Sequence, residues 1–271
     1  MAHWTLDDVP WDQFDPSKVA PEFVPIVKAA SMVEYRAGTY TEYLRNVFHD
    51  DDSFKQEASA WALEEVQHGQ VLGRYAKLCD PDFDFEGCYQ RFVEGYALQT
   101  EVQESIRGSR AGELIARCIV EVGTSSYYTA MAEATDEPVL KDICRKIAAD
   151  ELRHYKLFYT CMKPYLEKEG LGFWGRLRVA AGRIAESEDD ELAYAYYAAN
   201  GSQGDYDHKR WNQAYARRAY SLYRRHHVER VVSMVFKAVG LKPHGLLNRT
   251  ATQIMWTAMR NRVRKLEKHA A

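Results

Sequence analysis

Long apolar runs are missing from this 271-residue chain. The longest, such as Val231 to Phe236, are far too short to span a bilayer, so the expected protein is soluble or at most peripheral to a membrane. Cysteine is sparse and poorly spaced for chemistry: the five residues, at 79, 88, 118, 144 and 161, are odd in number and form no Cys-x-x-Cys pair. With an acidic, Pro-rich N-terminal stretch that shows no signal peptide, they point to a reduced, cytoplasmic setting. Strand-like alternation is absent, which argues for an all-α fold. Nothing resembles a flavin, haem or iron–sulfur motif, so electrons for any redox chemistry must come from outside. No nucleic-acid-binding module is recognisable either, which argues against a nucleic acid partner.

A chain of this size can bury a substantial core, as one large domain or two ordinary ones. Its net charge is only −3, but it is unevenly spread. From His208 onward there are 15 Lys or Arg against two acids, Glu229 and Glu267, which leaves the preceding 207 residues at −16. Either the basic tail packs on the acidic body or it meets an anionic partner.

Residues 1–21 carry Trp4, Trp11 and Phe14 among Asp and Pro, and read as a strap with docked aromatics. From Pro21 a helical pattern puts Phe23, Val27, Ala30, Ser31, Glu34, Ala37, Gly38, Thr41 and Leu44 on one face. The Asp50-Asp-Asp-Ser53 cluster breaks the chain and caps a second helix, whose inner face runs through Ala58, Trp61, Ala62, Glu65, His68, Gly69 and Leu72. A loop at Asp80 to Phe85 and a short helix around Tyr89 to Ser105 make a long crossover. A third helix, with Glu121 as its lone inward acid, runs to about Thr135; a fourth starts with Pro138 in its first turn, carries Glu151 and His154 inward, and ends near Gly170. Beyond it come a basic amphipathic stretch from Leu171 to Ala185, an acidic break from Glu186 to Glu191, a Tyr-rich piece and a loop at Gly201 to Gly204. Basic helices are expected at about 208–239 and 250–268, separated by Pro243 and Gly245. The predicted organisation is a strap (1–21), a four-helix body (22–169) and a C-terminal helical extension (170–271) packed on it.

Charged groups recur where a core should be. Glu65-x-x-His68 and Glu151-x-x-His154 each place a carboxylate and an imidazole one helical turn apart. Each pair follows a helix bearing one inward Glu: Glu34 lies 31 residues before Glu65, and Glu121 lies 30 before Glu151. The halves superpose at an offset of 86 or 87 residues, including Tyr40 and Tyr127 six residues after the lone acids, so the chain contains an internal repeat. Two antiparallel hairpins bring the six side chains to one level of a four-helix bundle, the ligand pattern of di-iron and di-manganese carboxylate bundles. Four carboxylates and two imidazoles suit two iron ions, with manganese or a mixed Mn/Fe pair as alternatives. Four buried negative charges would otherwise repel, and about four positive charges from two divalent ions remove that penalty.

Trp61 to Leu72, with Glu64-Glu65 and His68-Gly69, and Ala149-Asp-Glu-Leu-Arg-His154 resemble the soluble acyl-acyl-carrier-protein desaturases of the ferritin-like superfamily. The resemblance covers about Glu34 to Phe158, and implies a ferritin-like four-helix bundle with a long crossover, here extended by additional C-terminal helices. It also implies roles for three further residues. Thr124, three residues after Glu121, would line the oxygen pocket as a catalytic residue; Asp150 would accept from His68, and Glu64 from His154, fixing ring orientation. Gln67 departs from the pattern, since these desaturases usually carry Arg there, and the last hundred residues show no match to the family.

The expected function is that of a di-iron oxidase or oxygenase that activates O2 to desaturate or hydroxylate an organic, acyl or lipid-like substrate. The alternative is a rubrerythrin- or ferritin-like ferroxidase or peroxide scavenger without an organic substrate. Small residues near the ligands, Ala37, Gly38, Gly69, Thr124 and Ser125, would leave room for O2 and a slender substrate. A ferredoxin-type donor is expected to supply electrons. Arg217, Arg218, Arg224, Arg225 and Arg230 would dock an acidic acyl carrier protein, or the Leu171 and Thr250 helices would lie on an anionic membrane surface. Self-association as a homodimer stays open.

Overall fold

The computed structural model describes residues 4–186, 190–201 and 205–268. Among them the regular structure is all helical: three short 3-10 turns and then α1 (Phe23–Tyr35), α2 (Ala37–Val47), α3 (Asp52–Cys79), α4 (Phe85–Gly95), α5 (Arg110–Ala134), α6 (Pro138–Glu169), α7 (Phe173–Ala185), α8 (Asp190–Asn200), α9 (His208–Ser221), α10 (Arg225–Val239) and α11 (Leu246–Lys268). No described helix is long and apolar enough to cross a membrane.

Helix α1 packs on α3, α5 on α6, and α3 on α6. The long elements are held at their ends by side chains that satisfy exposed backbone groups. Asp51 accepts from the Phe54 N–H to start α3 and also takes a 2.7 Å hydrogen bond from Tyr165 of α6. The buried Glu137 carboxylate accepts from Val139 and Leu140 at the head of α6, and from the Asp15 N–H of the strap. At the opposite end, Glu169 of α6 reaches the N–H groups of Arg110 and Ala111, so the close of one helix caps the start of its partner. A carboxylate there also meets the positive end of the α5 dipole. Helix α6 stops at Gly170, whose φ of 64° is cheap only for glycine.

The core has two apolar halves. One gathers Val27, Leu72, Tyr75, Met131 and Ile143; the other gathers Leu44, Phe54, Leu114, Phe158 and Val239. Each fully buried large side chain contributes about 1.5–3 kcal/mol. Along α3, α5 and α6 the metal-type residues fall between these halves, so a polar layer is clamped by apolar packing above and below.

Four boundaries differ from the sequence-based expectation. The helix from Pro21 is two helices, broken at Arg36 (φ −80°, ψ 3°), because the Arg36 guanidinium is buried over the rings of Phe92 and Tyr96, and this swings the chain. The crossover helix begins at Phe85 and ends at Gly95; the Asp84 side chain caps it early, through the Gly87 N–H, and residues 96–109 form no helix. The helix expected over 208–239 is divided at 222–224, where His227 Nδ1 accepts the Arg224 N–H and starts α10 afresh. Helix α11 begins at Leu246 rather than near 250. The loop expected at Gly201 to Gly204 and the acidic break at Glu186 to Glu191 fall largely on 202–204 and 187–189, outside the described residues.

The C-terminal helices are laid over one side of the body. Helices α7 and α10 pack on α5, α8 on α1 and α4, α9 on α8, and α11 on α9 and α10. This arrangement supplies one wall of the cavity described next.

Candidate metal centre

The six residues singled out by the repeat converge in the polar layer. Glu34 comes from α1, Glu65 and His68 from α3, Glu121 from α5, and Glu151 and His154 from α6, and each is at most 9% exposed. They form two overlapping quartets, Glu34, Glu65, His68 and Glu151, and Glu65, Glu121, Glu151 and His154, with one ligand atom per residue and all of those atoms within 4.8 Å of one another. Glu65 and Glu151 belong to both and are placed to bridge. His68 Nδ1 lies 3.3 Å from Glu151 and 3.6 Å from Glu65; His154 Nδ1 lies 2.9 Å from Glu65 and 3.6 Å from Glu121.

The donor set passes a physical test for metal. His68 Nδ1, His154 Nδ1, Glu121 Oε1 and Glu151 Oε1 are buried without a hydrogen-bond partner, a costly state for four polar atoms that face one another. The far ring nitrogens are held: His68 Nε2 lies 3.0 Å from Asp150 Oδ2 and His154 Nε2 lies 2.8 Å from Glu64 Oε2. An Nε2–H donated to a carboxylate leaves the Nδ1 lone pair turned inward, the arrangement a metal-bound histidine needs. Two divalent ions would satisfy the orphaned atoms and neutralise the carboxylates together.

Without metal the charges are shared unequally. Burial, then repulsion from Glu65 and Glu151, raises Glu34 well above the usual carboxylate range, and burial raises Glu121 likewise. Burial opposes ionisation of Glu65 and Glu151 too, joined at Glu151 by the charge of Glu65, but the facing imidazoles of His154 and His68 outweigh it and hold both low. Burial works against both imidazolium ions, yet the surrounding carboxylates raise His68 and His154 well above the ordinary histidine value. Protons thus stand where cations fit.

The surroundings tie this centre to the strap. Trp4 donates its indole N–H to Asp150 at 2.7 Å and stacks on His68 with ring centroids 6.0 Å apart, while Gln67 donates to the Trp4 carbonyl at 3.0 Å. Arg153 links Asp150 and Glu64, bonding to both carboxylates. Trp4 was visible in the sequence only as one strap aromatic among several; its partner lies 146 residues away and left no local signal.

On the other side of the ligands lies a cavity of about 350 Å³. Glu34, Glu65, Glu121 and Glu151 line it, and neither imidazole does. Thr124 also lines it: its Oγ1 is 2.7 Å from Glu151 Oε2 and 3.0 Å from the Glu121 carbonyl, and its single proton can serve only one of them. Tyr128 donates to Glu34 at 2.5 Å. The far wall comes from the C-terminal helices, with Tyr215, Val231, Met255 and Met259 among its side chains.

Of the small residues expected to leave space, Ala37 and Thr124 line this cavity. Gly69 and Ser125 are absent from its walls: a Cβ on Gly69 would stand 2.5 Å from the Tyr35 backbone nitrogen, and Ser125 Oγ donates to the Ala148 carbonyl. Gly38 has nothing within 4 Å of where a Cβ would be.

Residues 32–172, just over half of the chain, match the family model described as fatty acid desaturase. The matched segment contains all six candidate ligands, Glu64, Thr124 and Asp150. No curated protein matches the chain.

Proposed function

The chain belongs to the fatty acid desaturase family, and from that premise we propose that it is a di-iron, O2-dependent oxidoreductase that desaturates or hydroxylates an acyl chain seated in the cavity beside Thr124. Membership of the family implies an oxidoreductase. The finer reading rests on one observation: a cavity of about 350 Å³ opens directly onto the four ligand carboxylates. Such a volume lies within the range of small-ligand pockets, whereas a centre that only oxidises iron needs no organic-sized space.

Glu34, Glu65 and His68 would hold one ion and Glu121, Glu151 and His154 the other, with Glu65 and Glu151 shared. Bound there, two iron ions would supply with O2 the oxidising power to break an unactivated C–H bond. The chain's own groups do the rest. Asp150 and Glu64 orient the imidazoles; Val231, Met255 and Met259 exclude water from the apolar end; and the Thr124 hydroxyl offers a mobile proton at the rim of the ligand set. We assign electron delivery to a ferredoxin-class donor, and docking of an acidic acyl carrier protein to the basic C-terminal helices.

The test is turnover. Iron-loaded, reduced protein is given O2 with acyl-carrier-bound, acyl-CoA and free fatty acids, and products are read by mass spectrometry. Loss of two hydrogens or gain of one oxygen supports the proposal; iron oxidation with every acyl chain unchanged overturns it in favour of a ferroxidase.

A further inference from the structure

The Tyr-rich segment near residue 194 is not absorbed by the ligand set, and its aromatic side chains form a continuous path away from it. The path begins at Tyr128, 1% exposed and hydrogen-bonded to Glu34. Tyr127 follows, its ring centroid 5.2 Å from that of Tyr128. Tyr127 and Tyr215 line the same cavity, where their phenols perturb each other. From Tyr215 the ring spacings are 6.0 Å to Tyr196, then 6.1 Å to Trp211, 5.4 Å to Tyr197 and 5.3 Å to Tyr206. Tyr206 ends the path by donating to the exposed Asp190 carboxylate.

Ordinary packing explains ring pairs at these distances one by one. It does not explain their composition. Elsewhere most aromatic contacts include a phenylalanine, as among Phe48, Phe54 and Phe158, or Phe83 and Phe85, although Tyr35–Tyr89 and Tyr155–Tyr159 do not. Between Tyr128 and Tyr206 every ring is Tyr or Trp, the aromatic side chains that give up an electron most readily, although the buried Trp211 N–H has no partner and a Phe would pack there more cheaply. The outer end, moreover, rests on a carboxylate able to take a phenolic proton.

We propose that this ladder is a discharge route, which carries electrons from the surface to the metal centre when an oxidant forms there without substrate. The inference rests on the di-iron reading above. In each step one electron leaves a Tyr or Trp for the oxidised neighbour nearer the metal. At the outer end Tyr206 loses an electron and passes its proton to Asp190, leaving a phenoxyl radical. A soluble one-electron reductant of the ene-diol or thiol class returns the electron, and Asp190 returns the proton. The metal centre is reduced, the external donor is oxidised, and the chain is unchanged.

The experiment mixes iron(II)-loaded full-length protein with O2 in the absence of any acyl substrate. Radicals are followed by freeze-quench electron paramagnetic resonance, and oxidised side chains are mapped by peptide mass spectrometry. The wild type should show a tyrosyl signal and oxidation at Trp211 and Tyr206. Tyr127→Phe, with unchanged iron content, should lower the outer labelling at least tenfold and concentrate damage at Tyr128. Tyr206→Phe, a gentler change at a half-buried position, should move the outermost label inward to Trp211 or Tyr197, and added ascorbate should erase the wild-type signal. O2 consumption with labelling confined to Tyr128, or outer labelling equal in Tyr127→Phe and wild type, overturns the ladder while leaving the oxidase reading intact. Iron-loaded protein that consumes no O2 overturns both.

Discussion

Replacing Gly69 by alanine sets two effects of opposite sign against each other. Glycine inside a helix is costly, and alanine there should stabilise α3 by about 0.8–1 kcal/mol through propensity alone. The new Cβ, however, would lie 2.5 Å from the Tyr35 nitrogen and 2.6 Å from its Cα, where non-bonded carbon contacts settle near 3.5–4.0 Å. Helices α1 and α3 would have to part by about 1 Å, because the obstructing atoms are mostly backbone and no rotamer change removes them. Overpacking of this kind costs about 1–3 kcal/mol and at times more, so the net expectation is a loss of up to about 2 kcal/mol. The damage should reach the metal. Tyr35 adjoins Glu34, and a shift of about 1 Å is several times the roughly 0.2 Å tolerance of metal–ligand distances. Urea unfolding of the metal-free protein, followed by circular dichroism, reads the first effect, and elemental analysis after iron loading reads the second. Gly69→Ala should lower the midpoint and retain about one ion per chain. A variant as stable as wild type that still holds two ions would refute the close approach and the reasoning built on it.

Three further expectations follow from the same geometry. Glu65→Ala should lose both ions, because Glu65 stands in both quartets, while His68→Ala should keep the ion on the Glu121 and His154 side; metal-to-protein ratios decide between them. Asp150→Asn removes the charged acceptor of His68 Nε2 and should weaken metal binding by about 10–100-fold, measured by competition with a chelator; unchanged affinity would show that the contact does not matter. Glu191, raised by burial from 4.5 to about 7 against the opposing pull of Arg36, gives a pH dependence of stability. Its folded-state value lies above its unfolded one, so the folded protein holds the extra proton between them. The contribution of this group is greatest below pH 4.5 and is lost as pH rises through about 7, by up to about 3 kcal/mol; Glu191→Gln should flatten that slope in urea titrations of the metal-free protein at pH 5 to 8.

The convergence of six buried carboxylates and imidazoles was legible because it repeats. Glu34, Glu65 and His68 recur as Glu121, Glu151 and His154 with spacings that only a pair of helical hairpins reconciles, and helix caps such as Asp51 or Pro138 announce themselves locally. Elements whose geometry is set by distant partners were not legible. The break at Arg36 depends on Phe92 and Tyr96, some 56 and 60 residues further on, and nothing in the Glu34 to Ala37 sequence demands it. Gly69 looked like open space for the same reason: a missing side chain is equally a vacancy or a place for another backbone, and only the position of Tyr35 distinguishes them. The separate starts of α9 and α10 turn on one ring nitrogen of His227, which periodicity does not sense.

The repeat makes the ligands nearly symmetric, and the chemistry depends on what breaks that symmetry. Helices α3 and α6 carry the imidazoles and turn them outward, to Asp150, Glu64, Arg153 and the strap residue Trp4. Helices α1 and α5 supply the lone carboxylates Glu34 and Glu121, and on that side the C-terminal helices close over a cavity into which all four carboxylates face. On the proposed reading, an organic reactant in the cavity would meet the four carboxylates and Thr124, and neither histidine. The histidine face is packed and hydrogen-bonded through two carboxylates to one arginine. Exchanging the cavity-lining residues of α9 to α11, such as Tyr215, Val231, Met255 and Met259, while keeping the six candidate ligands with Asp150 and Glu64 should preserve metal content and change which acyl chain is accepted; these residues lie beyond the segment that matches the desaturase family.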